Sequence, residues 1–249
     1  MDEKMMRLAL KEARKGMGHT SPNPAVGAVL VKNGRVLSKG WHRAAGLPHA
    51  EIEALRALKQ PSAAKGATIY VTLEPCSTHG RTPPCSAAII ESGVTRLVYG
   101  ARDPNPKHAG RADEILRQAG IEVLPGVLEA ECESLNRAWN KWIRTGLPYV
   151  IAKTGMSLDG RIGSPKGKRW ITSEASRKDA MKLRAASGAI LVGAETVRAD
   201  NPSLTVRGIP VNQQPLRVVW SRSGNLPPNC HLLTDEHRER TLVFQGKSL

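Results

Sequence analysis

The spacing of hydrophobic positions changes along the chain, and the change separates helices from strands. Residues 3–16 carry apolar side chains at helical spacing and end at Gly16, which predicts a helix. Two apolar runs, 26–31 and 36–41, flank Asn33-Gly34. Because this dipeptide is typical of tight two-residue turns, the two runs are predicted to form a β-hairpin.

Helical and extended patterns then alternate up to residue 124. The pattern predicts helices over 49–58, 86–92 and 112–119, and strands over 68–73, 96–100 and 121–124. A hairpin followed by this alternation predicts an α/β fold, a mixed sheet with helices on both faces.

A long helix is predicted over 129–145, and Gly146-Leu147-Pro148 ends it. We therefore expect two domains, residues 1–147 and 148–249. In the second we expect a strand over 149–153, a helix capped by Ser173 up to about residue 187, a buried strand over 189–192 and a strand over 216–220.

Composition restricts the classes of partner without choosing among them. The 249 residues are 40% hydrophobic but only 4% aromatic, so aliphatic side chains must fill the core. The net charge of +15 is spread along the chain. Such an excess suits phosphorylated small molecules or a nucleic-acid surface, and it equally suits ordinary solubility.

The four cysteines come without a signal-peptide pattern, and no apolar run approaches the ~18 residues that a membrane span requires. We therefore expect a cytoplasmic location, where cysteines more often bind metal or do chemistry than form disulfides. Cys132 lies on a predicted helix and is expected either in the core or as a bystander without a role. Cys230 follows a Pro-Pro turn and is expected to be exposed.

One constellation carries candidate chemistry: His49 and Glu51 in a predicted helix start, Cys76 after a strand, and Cys85 before a helix. One histidine and two cysteines supply the three protein ligands of a catalytic zinc site. Glu51, two residues from His49, is placed to move protons as in zinc deaminases. The alternatives are a closed structural zinc site, with His79 as fourth ligand, or two incidental cysteines.

The chain also resembles the bifunctional deaminase–reductase family of riboflavin biosynthesis. In the first part the matching segments are Pro22-Asn23-Pro24-Ala25-Val26-Gly27, Gly40-Trp41-His42, His49-Ala50-Glu51, Glu74-Pro75-Cys76, Gly80-Arg81-Thr82-Pro83-Pro84-Cys85 and Asp103-Pro104-Asn105-Pro106. In the second part they are Ser157-Leu158-Asp159-Gly160-Arg161-Ile162, Trp170-Ile171-Thr172-Ser173 and Thr196-Val197-Arg198-Ala199-Asp200-Asn201-Pro202. The likeness extends to about Arg207.

The resemblance implies a cytidine-deaminase-like domain that uses Zn²⁺ to deaminate 2,5-diamino-6-ribosylamino-4(3H)-pyrimidinone 5′-phosphate. It further implies a dihydrofolate-reductase-like domain that reduces the ribosyl group with NADPH. By motif it assigns zinc binding to His49, Cys76 and Cys85, and catalysis to Glu51. It assigns substrate binding to Asn23, His42, Arg81, Asp103, Asn105, Arg184, Leu204 and Arg207, and cofactor binding to Lys153, Thr154, Trp170, Thr196 and Asp200.

Two departures from the family pattern bear on these assignments. The family usually has His directly after Cys-Ser in the zinc loop, whereas this chain has Thr78 there and His79 one residue later. The part from residue 148 to 249 is also shorter than the family's reductase domain, so we expect an incomplete domain with impaired reductase activity. An incomplete sheet exposes an unpaired edge, which favours a homo-oligomer.

Two other functions remain open. A tRNA, nucleic-acid or nucleoside deaminase shares the His-x-Glu and Cys chemistry, but the long spacing from Cys76 to Cys85 and the scarcity of aromatics disfavour it. We therefore expect a small phosphorylated pyrimidine as partner, rather than nucleic acid or a membrane. A non-catalytic zinc-stabilised assembly module is the third possibility, and Glu51→Ala would leave its behaviour unchanged.

Overall fold

A computed structural model of the chain describes residues 1–78, 83–106, 108–163 and 170–246. They form two compact units, Met1–Ile151 and Ala152–Leu249. The division follows Ile151, four residues after the boundary expected from the sequence. In the described part of the chain, no helix is both long enough and apolar enough to cross a bilayer.

The first unit is built on a five-stranded sheet. Its strands are β1 (Gly27–Lys32), β2 (Arg35–Trp41), β3 (Thr68–Leu73), β4 (Arg96–Ala101) and β5 (Glu122–Leu124). Their order is β2-β1-β3-β4-β5, with β1 antiparallel to both neighbours and β4 parallel to β3 and β5. The mixed α/β fold expected from the sequence is confirmed.

The hairpin turn and the strand burial follow from local sequence. Asn33 and Gly34 both have positive φ, 51° and 73°, as a tight hairpin turn requires. β1, β3 and β4 are buried over nearly their whole length, because helices cover the sheet. These helices are α1 (Asp2–Ala13), α2 (Ala50–Arg56), α3 (Cys85–Glu91), α4 (Arg111–Gln118), α5 (Glu129–Leu135) and α6 (Arg137–Thr145).

The helix predicted over 129–145 is wrong as a single element, since Asn136 separates α5 from α6. The Asn136 side chain is buried, accepts from the backbone N–H of Ala25 and donates to the Ala25 carbonyl oxygen, both at 2.9 Å. This pairing satisfies two buried backbone groups of a segment 111 residues away. Local periodicity contains no sign of such a contact.

The second unit contains a three-stranded parallel sheet of order β6-β7-β8. Its elements are α7 (Glu174–Ala185), β6 (Ala189–Gly193), α8 (Ala194–Asp200), β7 (Leu216–Ser221), α9 (His231–Thr234) and β8 (Thr241–Gln245). The Ser173 hydroxyl accepts from the backbone N–H of Ser176, so the expected helix cap is confirmed.

Three expectations for this unit are wrong. Residues 149–153 form no strand, because no other strand among the described residues pairs with them. β6 is not a buried strand: Ile190 and Val192 pack against the core, while the alternate residue Leu191 is 63% exposed. Cys230 is buried, because it directly precedes α9 and its side chain packs in the same core.

Candidate active site

His49, Cys76 and Cys85 come together at one edge of the first sheet. Their ligand atoms all lie within 4.8 Å of one another. His49 Nδ1 is 3.2 Å from Cys85 Sγ and 3.6 Å from Cys76 Sγ. One imidazole nitrogen therefore faces two sulfurs, a donor set that fits Zn²⁺ with three protein ligands.

Each ligand candidate sits at the end of a regular element. His49 directly precedes α2, Cys76 follows the carboxyl end of β3, and Cys85 is the first residue of α3. Two hydrogen bonds join the segments that carry the cysteines: Ser86 N–H donates to the Cys76 carbonyl oxygen at 3.1 Å, and Cys85 N–H donates to Cys76 Sγ at 3.3 Å.

Hydrogen bonds and burial shift the pKa values of Cys76 and His49. The pKa of Cys76 is lowered to about 4, mainly by a hydrogen bond from the Cys85 thiol and also by its pairing with His49, although burial opposes the fall. The hydrogen bond to Cys76 in turn raises the pKa of His49, although burial opposes the rise. Cys76 is therefore the more acidic thiol of the pair, and both sulfurs would bind a metal ion as thiolates.

Glu51 is the acidic group beside the trio. Its side chain is buried, and burial is the main cause of its raised pKa, followed by the negative charge of Cys76. It lies in the first turn of α2, two residues after His49. A carboxyl group in this position, outside the ligand set and with a raised pKa, is suited to accept and release a proton.

Asn23 and His42 form a connected pair on the His49 side of the site. Asn23 Nδ2 is 3.1 Å from His42 Nε2, and His42 Nδ1 is 3.0 Å from the Pro48 carbonyl oxygen. Burial lowers the pKa of His42, which favours a neutral ring that donates to Pro48 and accepts from Asn23. The rings of His42 and His49 meet edge to face, with centroids 5.2 Å apart.

Asp103 and Asn105 lie in the loop of residues 102–110, and Glu74 holds this loop in place. The buried Glu74 carboxylate accepts from the backbone N–H of Asp103 at 3.2 Å and of Gly110 at 2.8 Å. Asp103 in turn accepts from Asn105 N–H at 2.8 Å, and burial raises its pKa. The sequence reasoning missed this role of Glu74, although an acid directly before Pro75-Cys76 at a strand end was a signal.

Thr78, which stands where the family pattern has a histidine, contacts a histidine from elsewhere in the chain. Its hydroxyl oxygen is 3.2 Å from His108 Nδ1. The sequence reasoning did not single out His108. Arg81 and His79, which it did, lie outside the described residues.

Three substrate candidates of the second unit are neighbours. Arg184 is half-buried and donates from Nη1 to the Thr205 carbonyl oxygen at 2.8 Å. Thr205 follows Leu204, which is buried with φ of 53°. Burial lowers the pKa of Arg184, and the positive charge of the exposed Arg207 lowers it further. Two guanidinium groups this close are suited to a shared anion.

The cofactor candidates of this unit are mostly at its surface. Lys153 and Thr154 are exposed on an irregular segment, and Thr196 and Asp200 are exposed on α8. Trp170 is 56% exposed, with the Arg177 guanidinium 4.7 Å from its ring centroid. Their roles, like those of the substrate candidates, stay predictions.

Comparisons with known proteins match each unit to a family. Residues 1–101 match the cytidine and deoxycytidylate deaminase zinc-binding region, and residues 148–248 match the RibD C-terminal domain. The riboflavin biosynthesis protein RibD of Aquifex aeolicus (strain VF5) is 46% identical over 248 residues, which cover 99% of this chain and 69% of that protein. RibD of Escherichia coli (strain K12) is 48% identical over 240 residues.

Two solved structures are similar over nearly all residues of the chain. Acinetobacter baumannii RibD has a TM-score of 0.88 at 41% identity, covering 99% of this chain and 70% of that one. The Thermotoga maritima diaminohydroxyphosphoribosylaminopyrimidine deaminase/5-amino-6-(5-phosphoribosylamino)uracil reductase has a TM-score of 0.87 at 40% identity, covering 98% and 69%. The chain spans 63% of the length of Bacillus amyloliquefaciens RibD and 65% of the E. coli protein. These matches confirm the resemblance that the motifs indicated, and the chain belongs to the RibD family of riboflavin biosynthesis proteins.

Proposed function

We propose that this chain hydrolyses the amino group from the pyrimidine ring of 2,5-diamino-6-ribosylamino-4(3H)-pyrimidinone 5′-phosphate. Water supplies the oxygen that ends on the ring carbon, and ammonia leaves. The observation that carries the proposal is the cluster of His49, Cys76 and Cys85 with the buried carboxyl of Glu51 beside it. Family membership, and the two-part name of the Thermotoga maritima relative, support the choice of substrate.

His49, Cys76 and Cys85 would hold Zn²⁺. When bound, zinc supplies Lewis acidity that makes water a nucleophile near neutral pH. Glu51 takes the proton from the attacking water and delivers it to the departing amine. Burial raises its pKa, which suits a carboxyl group that must release a proton as well as accept one.

The remaining residues of the first unit position the substrate. Asn23 and His42 form a wall beside His49, where a hydrogen-bonded amide and imidazole suit the polar edge of a pyrimidine. Asp103 and Asn105 lie on the loop that Glu74 holds, on the Cys76 side, and suit ribose hydroxyl groups. Arg81 suits the phosphate, since a guanidinium pairs with it through two hydrogen bonds.

The second unit belongs to the reductase half of the proposal. Its match to the RibD C-terminal domain supports NADPH as reductant, with Lys153, Thr154, Trp170, Thr196 and Asp200 as cofactor residues. The neighbouring Arg184 and Arg207, with Leu204, suit the phosphorylated substrate. We propose a cytoplasmic homo-oligomer, and the four free cysteines suit a reducing compartment.

Ammonia release from the diaminopyrimidine ribotide by zinc-loaded protein tests the deaminase. We expect turnover by the wild type and a loss of about 10³-fold in kcat for Glu51→Gln, with one zinc per chain retained. Glu53→Gln, on the same helix and paired with Arg43 at 2.9 Å, is the matched control and should keep full activity. Zinc binding without ammonia release by the wild type would contradict the deaminase and favour a structural zinc site.

NADPH consumption in the same reaction tests the second unit separately. Ammonia release with NADPH unused would limit this chain to deamination. Use of both would show that residues 148–249 reduce the product.

A further inference from the structure

The contact between Thr78 and His108 joins two loops beside the candidate metal site. Thr78 lies two residues after Cys76, and its hydroxyl oxygen is 3.2 Å from His108 Nδ1. The proton transfer proposed above uses neither residue. The contact brings an additional imidazole to the Cys76 side of the site, from a position 30 residues further along the chain.

His108 stands on a loop whose backbone is held. Its N–H donates to the Asn105 carbonyl oxygen at 2.9 Å, and its own carbonyl oxygen accepts from Arg111 N–H at 3.0 Å. The Glu74 carboxylate binds the loop near both of its ends. The half-buried imidazole is therefore already oriented before a ligand arrives, so binding orders few additional groups.

His108 also shares its surroundings with Asp103. Burial raises the pKa of the Asp103 carboxyl, the charge of His108 lowers it, and the charge of Cys76 raises it. Asp103 is thus close enough to feel the charges of both His108 and Cys76. The imidazole of His108 borders the same part of the site as the expected ribose ligand Asp103.

The two sides of the site differ in what they offer a substrate. The pair of Asn23 and His42 packs against His49, whereas Asp103 and His108 lie on the side of Cys76. A substrate that brings its amino-bearing carbon to Glu51 can place its ring edge against Asn23 and His42. Its ribosyl phosphate then extends toward Asp103 and His108.

Resting on the proposed function, we infer that His108 is a further substrate-binding residue that contacts the ribosyl phosphate. Thr78 orients the ring through Nδ1, which directs the opposite nitrogen, Nε2, to the substrate. Thr78 is then a positioning residue that acts through His108. A polar hydrogen-bonding group at this place selects for substrates that carry the sugar phosphate.

Three substitutions of His108 separate binding from structure. His108→Ala should raise KM for the diaminopyrimidine ribotide about tenfold and change kcat less than about twofold, since the lost contact is remote from the reacting carbon. His108→Gln, whose amide reaches the place of Nε2, should recover part of the loss. His108→Asn, whose amide reaches only the place of Nδ1, should keep the Thr78 contact and recover none.

Thr78 is tested both in the wild type and in the His108→Ala variant. Thr78→Val should raise KM about threefold in the wild type and have no effect in His108→Ala, because a residue that acts only through His108 loses its influence with it. Thr78→Ser, which keeps the hydroxyl, is the matched control. Full and equal effects of Thr78→Val in both backgrounds would overturn the positioning role.

Binding of ribose 5-phosphate to zinc-loaded protein, measured by calorimetry, gives a readout that does not need turnover. His108→Ala should weaken this binding about tenfold at unchanged zinc content and unchanged melting temperature. If the wild type binds ribose 5-phosphate through His108 but releases no ammonia, the proposed reaction fails while this site stands. Unchanged KM and unchanged ribose 5-phosphate affinity in His108→Ala, or full recovery by His108→Asn, would overturn the inference.

Discussion

The two sheets of this protein differ in how they are covered. In the first unit, β1, β3 and β4 are buried along nearly their whole length. In the second, only β7 is mostly buried, while β8 and alternate residues of β6 are exposed. The first sheet therefore offers more rigid positions for functional residues than the second. Burial on both faces fixes the end of a strand, and with it the loop that follows.

The consequence appears at the functional residues. Cys76 and the buried Glu74 follow β3, and Asp103 follows β4. This part of the candidate site is therefore held by two strands that are covered on both faces. The cofactor candidates of the second unit lie instead on exposed positions of a thinner structure. Five predictions test this contrast, from the largest effect to the smallest.

Removal of a metal ligand should have the largest effect and should act on the first unit alone. Cys85→Ala should lose zinc and reduce ammonia release to background. Zinc should no longer raise the stability of the first unit, an effect worth about 4 kcal/mol at a thousandfold excess over Kd. Zinc content, ammonia assays and hydrogen exchange of β3 measure these losses. Cys132→Ala, also buried but outside the ligand set, should keep zinc and activity; equal losses in both variants would contradict the ligand assignment.

A matched pair of leucines measures the difference in burial directly. Leu97 on β4 is fully buried, and Leu191 on β6 is 63% exposed. Leu97→Ala should cost about 3 kcal/mol of unfolding free energy, whereas Leu191→Ala should cost less than about 0.5 kcal/mol. Hydrogen exchange of each unit, read in urea, gives both values. Similar costs would show that the face of β6 is covered in solution.

A buried ion pair is the strongest exception to the weak covering of the second unit. Arg217 on β7 is 1% exposed in its side chain and binds both carboxylate oxygens of Asp235, at 2.6 and 2.8 Å. Asp235→Asn should cost about 3 kcal/mol, because it leaves a buried guanidinium without a counter-charge. Asp2→Asn in the first unit removes one of the two acidic partners of Arg96, whose side chain is 25% exposed, and should cost about 1 kcal/mol or less.

Both pairs also predict a pH dependence of stability. The hydrogen bond to Arg217 lowers the pKa of Asp235, and that to Arg96 lowers the pKa of Asp2. Since the folded pKa lies below the unfolded value of about 3.9, each contribution is complete at neutral pH and is lost as the pH falls below about 4. Unfolding in urea between pH 7 and 3 should show a shallower acid loss in Asp235→Asn than in the wild type. An unchanged pH profile would contradict the role of the pair.

The smallest effect is expected at a helix cap on the second unit. Ser173→Ala removes the acceptor for Ser176 N–H and should cost about 1 kcal/mol, seen as faster hydrogen exchange in α7. Ser173→Asp keeps an acceptor and should exchange at the wild-type rate. A loss in both variants would assign the effect to something other than capping.

Local sequence patterns were sufficient to predict those elements that depend only on their own residues. The turn at Asn33-Gly34 has the positive φ values that its sequence favours, and α7 begins at the cap that Ser173 provides. The strands that hold the site were likewise predictable, because β3 and β4 are short segments rich in β-branched, aromatic and aliphatic residues. The contrast with 149–153 is physical: an apolar run becomes a strand only when another strand pairs with it.

By itself, the sequence determined the family, the mixed sheet of the first unit and the set formed by His49, Glu51, Cys76 and Cys85. The family follows from the motifs that resemble it, the sheet follows from the periodicity of apolar residues, and the set follows from the ligand types that zinc prefers. The tertiary structure alone decided that Asn136 divides a helix to bind Ala25, that Glu74 holds the loop of Asp103, and that His108 meets Thr78. Each of these is a contact between segments distant in the chain, and a hydrogen bond across such a distance exists only once the fold has closed.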